Sequence, residues 1–74
     1  MLMTKSQFSL FIGSKLRELR ISKSITIEQL SFKSGIDTKQ ITRIELGQIN
    51  TSIFQIYRIS NALSIDLVDI FILK

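Results

Sequence analysis

The chain has 74 residues and a net charge of +4, and it contains neither cysteine nor histidine. This length suits one small domain, and the missing residue types exclude disulfides, Cys/His zinc sites and catalysis by a thiolate or an imidazole. No apolar run reaches the roughly 18 residues of a membrane span, and no signal-peptide pattern opens the chain. We therefore expect one cytoplasmic domain over residues 1–74, with no enzymatic activity, metal or cofactor.

Positive charge is concentrated in the first part of the chain. Residues 1–43 hold eight Lys or Arg against three Asp or Glu, whereas residues 44–74 hold two against three. This asymmetry favours one basic face that binds a polyanion, although a basic soluble domain would have the same composition. Only Asp66 and Asp69 could share a helical turn, where we expect a helix cap rather than a catalytic pair.

Helical periodicity dominates the sequence, and the alternating apolar and polar runs of strands are absent. The first helix is expected over residues 6–23, and the leading residues 1–3 are either frayed or an arm on a neighbouring surface. A last short helix should run from residue 67 to about 73. Between them, three helix starts carry a capping-box pattern, in the pairs Thr26 with Gln29, Asp37 with Gln40, and Ser52 with Gln55. The sequence thus predicts an all-α fold of five helices.

Residues 26–47 are expected to form a helix-turn-helix. Gly35 and Gly47 end two short helices, because glycine tolerates the positive φ of a helix terminus. A three-residue turn makes these helices cross steeply rather than lie antiparallel. Ser31, four residues before Gly35, should allow their close approach. The apolar surface beneath is predicted to come from Leu30, Ile36, Ile41 and Ile44, and the inward face of the following helix from Ile53, Ile56, Ile59, Ser60 and Leu63.

Three segments together resemble the Xre/Cro/phage-repressor family of helix-turn-helix domains: IGSKLRELR, TIEQLSFKSGIDTKQITRIELG and NTSIFQIYRISNALSIDLVDIF. The resemblance covers about residues 11–71. It implies a five-helix fold that binds double-stranded DNA as a symmetric dimer on a palindrome. It also implies that Arg20 and Glu45 form a buried ion pair with a structural role.

The chain departs from the family pattern at several positions. Ser24 and Ser64 stand where glycine is usual, so the backbone there either avoids positive φ or carries a small strain. Thr51 replaces a frequent proline. Ile27 occupies a position where glutamine commonly reaches a phosphate, so only its backbone amide could make that contact.

The outward positions of the third helix are the predicted DNA readers, since a recognition helix presents its first residues to base edges. Arginine suits guanine, glutamine suits adenine, and threonine methyls suit thymine, while a lysine could take guanine or a phosphate. The same residues would form the solvated face of any amphipathic helix. The predicted base contacts are Thr38, Lys39, Gln40, Thr42 and Arg43.

Phosphate contacts are expected from helix amino termini and from the loop after Gly47. These residues would position the protein on DNA without reading sequence, although each also suits an ordinary turn or cap. The predicted phosphate contacts are Ile27, Gln48, Asn50, Thr51 and Ser52.

A dimer interface is predicted on the last two helices, where apolar residues fall off the inward stripes. The alternative is that the final apolar residues fold back onto the monomer. The predicted interface residues are Phe54, Tyr57, Val68, Ile72 and Leu73.

The most consistent function is a small homodimeric transcriptional regulator that occupies an operator. With no room for a ligand-sensing domain, its action would depend on its own concentration, as in restriction-modification controller proteins, which the chain resembles in length and in the segment FKSGID. The alternative is a protein-binding module of the same fold, such as a toxin-neutralising antitoxin.

Overall fold

The computed structural model describes residues 2–72, and all regular secondary structure within this range is α-helical. None of these helices has the length and hydrophobicity of a membrane span. The prediction of an all-α, five-helix fold is confirmed. The helices are α1 (Lys5–Ser22), α2 (Ile27–Ser34), α3 (Thr38–Glu45), α4 (Ile53–Ala62) and α5 (Leu67–Ile70).

Side chains cap the amino termini of the first four helices. Thr4 and Gln7 form a capping box at α1, which the sequence interpretation did not anticipate, and Thr26 and Gln29 form one at α2. At α3 and α4, Asp37 and Ser52 accept the expected amide hydrogen bonds at 3.0 and 3.1 Å. The reciprocal glutamine contact is not formed there among residues 2–72. The predicted boxes at α3 and α4 are therefore one-sided caps.

Three helix ends have the same backbone conformation. Ser24, Gly47 and Ser64 have φ of 56°, 71° and 58°, in the left-handed region that glycine tolerates best. In each case the amide of the next residue donates to the carbonyl five residues back, as in Ile25 to Arg20 and Ile65 to Ser60. The two serines therefore do not avoid positive φ, and the strained alternative holds.

The buried core is built entirely from isoleucine and leucine: Ile12, Leu16, Leu30, Ile36, Ile41, Ile44, Ile56, Ile59, Leu63 and Ile70. Ile53 was expected on the inward face of α4, but 62% of its surface is exposed. It is the first residue of α4, and it borders an apolar pocket together with the core residues Ile12 and Ile56. Ser31 is half-buried, whereas Ser34 is the buried serine of α2.

The five helices pack as a connected series. The third helix lies against α1 and α2, α4 lies against α2 and α5, and α5 also touches α1. The last helix is shorter than predicted. It is a single turn, and its last residue, Ile70, is fully buried in the core. Ile72 follows that turn outside the helix, and Leu73 lies outside the described residues.

Candidate nucleic-acid interface

The outward side of α3 forms a shallow groove with a polar lining. Thr38, Lys39, Thr42 and Arg43 line it together with Gln48, and its volume is about 270 Å³. Four of the five residues predicted to contact bases are thus brought together, with one of the predicted phosphate contacts beside them. The groove combines cationic, amide and hydroxyl groups, which suit contacts to base edges and phosphates.

The side chains on this face differ in their exposure and in their hydrogen bonds. Lys39 and Arg43 are exposed, while Gln40 is half-buried and does not line the groove. The Thr42 hydroxyl donates to the carbonyl of Thr38 at 2.9 Å. Its proton is therefore engaged within the helix, which leaves the methyl group and the oxygen lone pairs for contacts outside.

The buried side of α3 is held to α1 by an ion pair. Nε and Nη2 of Arg20 donate to the two carboxylate oxygens of Glu45 at 2.7 and 3.0 Å, and Nη1 donates to the Ile25 carbonyl at 2.8 Å. The Glu45 hydrogen bond raises the pKa of Arg20 against the opposing effect of burial, so this guanidinium remains charged. A two-point contact of this kind fixes orientation as well as distance.

The end of α3 also meets α1 at backbone distance. A Cβ atom placed on Gly13 would lie 2.8 Å from the Glu45 carbonyl oxygen and would also overlap the Ile44 carbonyl. Only glycine fits here. The ion pair and this contact together set the position of the carboxyl end of α3.

The residues proposed for phosphate contact lie in different surroundings. Ile27 is half-buried against the core, so its side chain faces inward, while the amides of a first helical turn lack intrahelical partners. Gln48 is exposed, and the Ser52 side chain is occupied by the cap of α4. Asn50 and Thr51 border an apolar pocket of about 180 Å³.

Apolar side chains are exposed on the outer surface of α4 and α5. Phe54 and Val68 are each 63% exposed, and the rings of Phe54 and Tyr57 lie 6.2 Å apart between centroids. Ile72 is 41% exposed, and it borders a cleft together with Leu10 and Phe11 of α1, so it lies partly beside the rest of the monomer. The exposed apolar residues of α4, α5 and the two positions after α5 are Ile53, Phe54, Tyr57, Val68, Phe71 and Ile72.

The sequence did not predict the roles of two residues that support α2 and α3. Gly13 sits inside a regular helical pattern, where a glycine could equally be incidental. Arg58 lies between two core positions of α4, and its guanidinium reaches the end of α2. Periodicity predicts which face a residue occupies, but it does not predict a contact between residues 24 positions apart.

The helix-turn-helix family HTH_3 matches residues 16–70 of the chain. The chain belongs to this family. It is an Xre/Cro-type, DNA-binding transcriptional regulator, as the resemblance implied. The described fold, with α2 and α3 joined at Gly35, is the fold of this family.

Two relatives of known role share much of the sequence. The control protein C.BamHI of Bacillus amyloliquefaciens is 39% identical over 64 residues, covering 81% of this chain and 79% of that protein. The restriction-modification controller protein C.AhdI of Aeromonas hydrophila is 36% identical with a TM-score of 0.83, covering 86% of this chain and 97% of that one. These relatives are regulators rather than enzymes.

A more distant structure supports the fold alone. An HTH_3 family transcriptional regulator from Vibrio cholerae superposes with a TM-score of 0.88 at 22% identity, covering 92% of this chain and 38% of that one. The helical arrangement therefore persists where most side chains have changed.

Proposed function

We propose that this protein acts in the cytoplasm as a homodimer that binds a palindromic operator, with α3 of each protomer in the major groove. The observation that carries this proposal is the contrast between the two sides of α3. Its buried side is fixed by Arg20 and Gly13, while its opposite side presents a polar, cationic groove. Rigid support beneath an exposed polar face suits the reading of base edges.

Base contacts are assigned to Thr38, Lys39, Thr42 and Arg43, with Gln40 at the margin of the groove. Arg43 is exposed and suited to the N7 and O6 atoms of guanine. Lys39 would contact guanine or a phosphate, and the Thr42 methyl group suits thymine. Gln40 would need to turn outward from its half-buried position to reach adenine.

Phosphate contacts are assigned to the loop after α3 and to helix amino termini. Gln48 stands beside the groove, and Asn50, Thr51 and Ser52 lead into α4, whose first amides can bind a phosphate oxygen. Ile27 would contribute its backbone amide at the start of α2. These contacts would hold the protein in register on DNA.

Dimerisation is assigned to the apolar surface of α4 and α5. Phe54, Tyr57, Val68 and Ile72 are exposed there, and covering them with the same surface of a second copy would bury a self-complementary patch. Two domains joined in this way would present two copies of α3 to successive half-sites about one helical turn apart.

A controller role is proposed from the relatives. By name, C.BamHI is a control protein and C.AhdI is a restriction-modification controller protein, and this chain covers most of each. We propose that this protein is also a controller and that it regulates transcription according to its own concentration, since dimer formation depends on concentration.

Selection of bound sequences from a random DNA pool tests the proposal directly. The wild-type protein is expected to select a palindrome. Arg43→Ala should relax the preference at one position per half-site, at a cost of roughly 1 to 3 kcal/mol. Lys39→Ala tests the neighbouring contact in the same way. Lys23→Ala, at an exposed lysine after α1, controls for the loss of one positive charge.

The possible outcomes separate the roles of α3. Uniformly weaker binding by Arg43→Ala with unchanged preference would make Arg43 a phosphate contact. Failure of the wild-type protein to enrich any sequence would contradict sequence-specific binding. A stable complex with a different protein, instead of a homodimer, would favour the protein-binding alternative.

A further inference from the structure

Arg58 makes a polar contact between the middle of α4 and the turn of the helix-turn-helix. Its Nη2 atom donates to the carbonyl of Ser34, the last residue of α2, at 2.9 Å. Its Nη1 atom donates to Oε1 of Gln55 at 2.9 Å. The Gln55 side chain is thereby used to hold Arg58 rather than to close the capping box at Ser52.

Gly35 provides the space for this guanidinium. A Cβ atom on Gly35 would lie 2.8 Å from Nη2 of Arg58. Gly35 also has a φ of 76°, so the turn favours glycine for its backbone conformation, and the absent side chain leaves room for Arg58. The guanidinium therefore lies directly on the turn that leads into α3.

The electrostatics favour this position. The last carbonyls of a helix lack intrahelical partners and carry the negative end of the helix dipole. A cationic donor forms a shorter and stronger hydrogen bond to such an oxygen than a neutral donor does. Within residues 2–72 the one ion pair joins Arg20 to Glu45. The positive charge of Arg58 is therefore stabilised by a carbonyl oxygen and an amide oxygen rather than by a carboxylate.

The packing of the helices gives this contact a mechanical role. The reading helix α3 packs on α1 and α2, whereas α4 packs on α2 and α5. The orientation of α3 relative to α4 is therefore transmitted through α2 on one side and through α1 and α5 on the other. Arg58 is the polar link between α4 and the end of α2, and Tyr57, its neighbour in sequence, belongs to the apolar surface proposed for dimerisation.

We propose that Arg58 is a positioning residue that sets the half-site spacing the dimer accepts. This inference rests on the proposed homodimer. In a dimer joined through α4 and α5, the angle between α4 and α3 determines the separation and relative orientation of the two recognition helices. By fixing the end of α2 to α4, Arg58 restricts that angle and so restricts the operators that both protomers can contact together.

The test uses the full chain and duplexes built from the selected half-site. Two copies of the half-site are placed at the selected spacing or one base pair closer or farther, and a further duplex carries a single half-site. Affinities are measured for the wild type, Arg58→Met, Arg58→Lys and a matched control, Arg17→Met, which removes an exposed arginine of α1. Circular dichroism melts set an assay temperature at which each variant is folded.

The wild type and Arg17→Met are expected to prefer the selected spacing by roughly tenfold or more, because one extra base pair rotates a half-site away from its protomer. Arg58→Met should reduce that preference to about threefold or less while its single-half-site affinity stays unchanged. Arg58→Lys, which keeps the charge and one donor, should be intermediate. If Arg58→Met does not fold, Arg58→Lys alone still distinguishes a weakened preference from a retained one.

Two results would overturn the role of Arg58 alone. One is an unchanged spacing preference in a folded Arg58→Met dimer. The other is an equal loss of affinity on every duplex, which indicates a general structural role, or a phosphate contact if the salt dependence also becomes shallower. Absence of any spacing preference in the wild type would instead contradict the proposed dimer, and the inference would fall with it.

Discussion

The amino-terminal half of the molecule, residues 4–47, and the carboxyl half, residues 52–72, differ in the internal contacts that hold their helices. In the amino-terminal half the Arg20 ion pair and the backbone approach at Gly13 hold α3 in place, although side chains such as Leu10 and Phe32 remain exposed. The carboxyl half leaves Phe54, Tyr57 and Val68 exposed. The contacts that position α3 are thus complete within one protomer, whereas the exposed side chains of α4 and α5 are those proposed to join two protomers.

The core and the surface differ in their residue types. The buried apolar core contains only isoleucine and leucine, whereas every aromatic residue except the half-buried Phe11 is exposed: Phe8, Phe32, Phe54, Tyr57 and Phe71. Aromatic side chains contribute strongly to interfaces because they bury a large area at low entropic cost. Several of them lie on α4 and just after α5, which favours this face for association.

Breaking the ion pair should have the largest effect. Arg20→Ala leaves the Glu45 carboxylate buried without its partner, so we expect a loss of about 3 to 5 kcal/mol in the free energy of unfolding. Chemical denaturation followed by circular dichroism measures this loss, and DNA binding should fall with the folded fraction. Arg17→Ala, at an exposed arginine of the same helix, is the control.

A double substitution refines this prediction. Arg20→Met combined with Glu45→Leu removes both charges, and replacing a buried pair by apolar residues is often nearly neutral. We expect the double variant to regain much of the stability lost in Arg20→Ala, less the contact to the Ile25 carbonyl. An Arg20→Ala melt identical to that of the wild type would refute the structural role of the pair.

The contact between α1 and the end of α3 should be the next most sensitive. Gly13→Ala forces a methyl group against the Ile44 and Glu45 carbonyls, and we expect a loss of about 2 to 3 kcal/mol by the same denaturation measurement. Ser14→Ala, at the next and exposed position, should change stability little. Equal stability of both alanine variants would show that α3 can shift without cost.

The carboxyl half should respond in association rather than in folding. Tyr57→Asp combined with Ile72→Asp places charges on the exposed apolar surface, so we expect a folded monomer and a dimer weakened by about 2 kcal/mol or more. Sedimentation equilibrium measures the dimer, and circular dichroism measures folding. Phe32→Asp introduces the same kind of change at an exposed aromatic of α2 and should leave the dimer intact. A dimer that persists in the double variant would remove these residues from the interface.

The two strained helix ends should give the smallest effects, one in each half. Ser24→Gly and Ser64→Gly replace serines held at positive φ, so each is expected to stabilise the fold by about 0.5 to 1 kcal/mol. Thermal melts measure the gain. Ser24→Ala and Ser64→Ala keep the Cβ atom and should show no gain. A gain with alanine as well would indicate that the hydroxyl, rather than the backbone, is the source of strain.

Local physical chemistry made much of the fold predictable from the sequence. Apolar residues at helical spacing predicted five helices, and small polar residues before them predicted the caps at Thr26, Asp37 and Ser52. Gly35 and Gly47 marked two helix ends, because positive φ is a property of single residues. The family pattern implied the pairing of Arg20 with Glu45 and the outward face of α3.

Tertiary structure decided the rest, because the remaining features depend on which surfaces meet. Ile53 follows the inward stripe of α4 yet is exposed, since it lies at the edge of a pocket beside the core. Gly13 became essential only where the carbonyls of α3 approach it, and Gln55 turned from its cap to Arg58. The sequence by itself determined the helices and the polar outward face of α3. Packing alone determined how that face is held relative to the surface proposed to join two protomers.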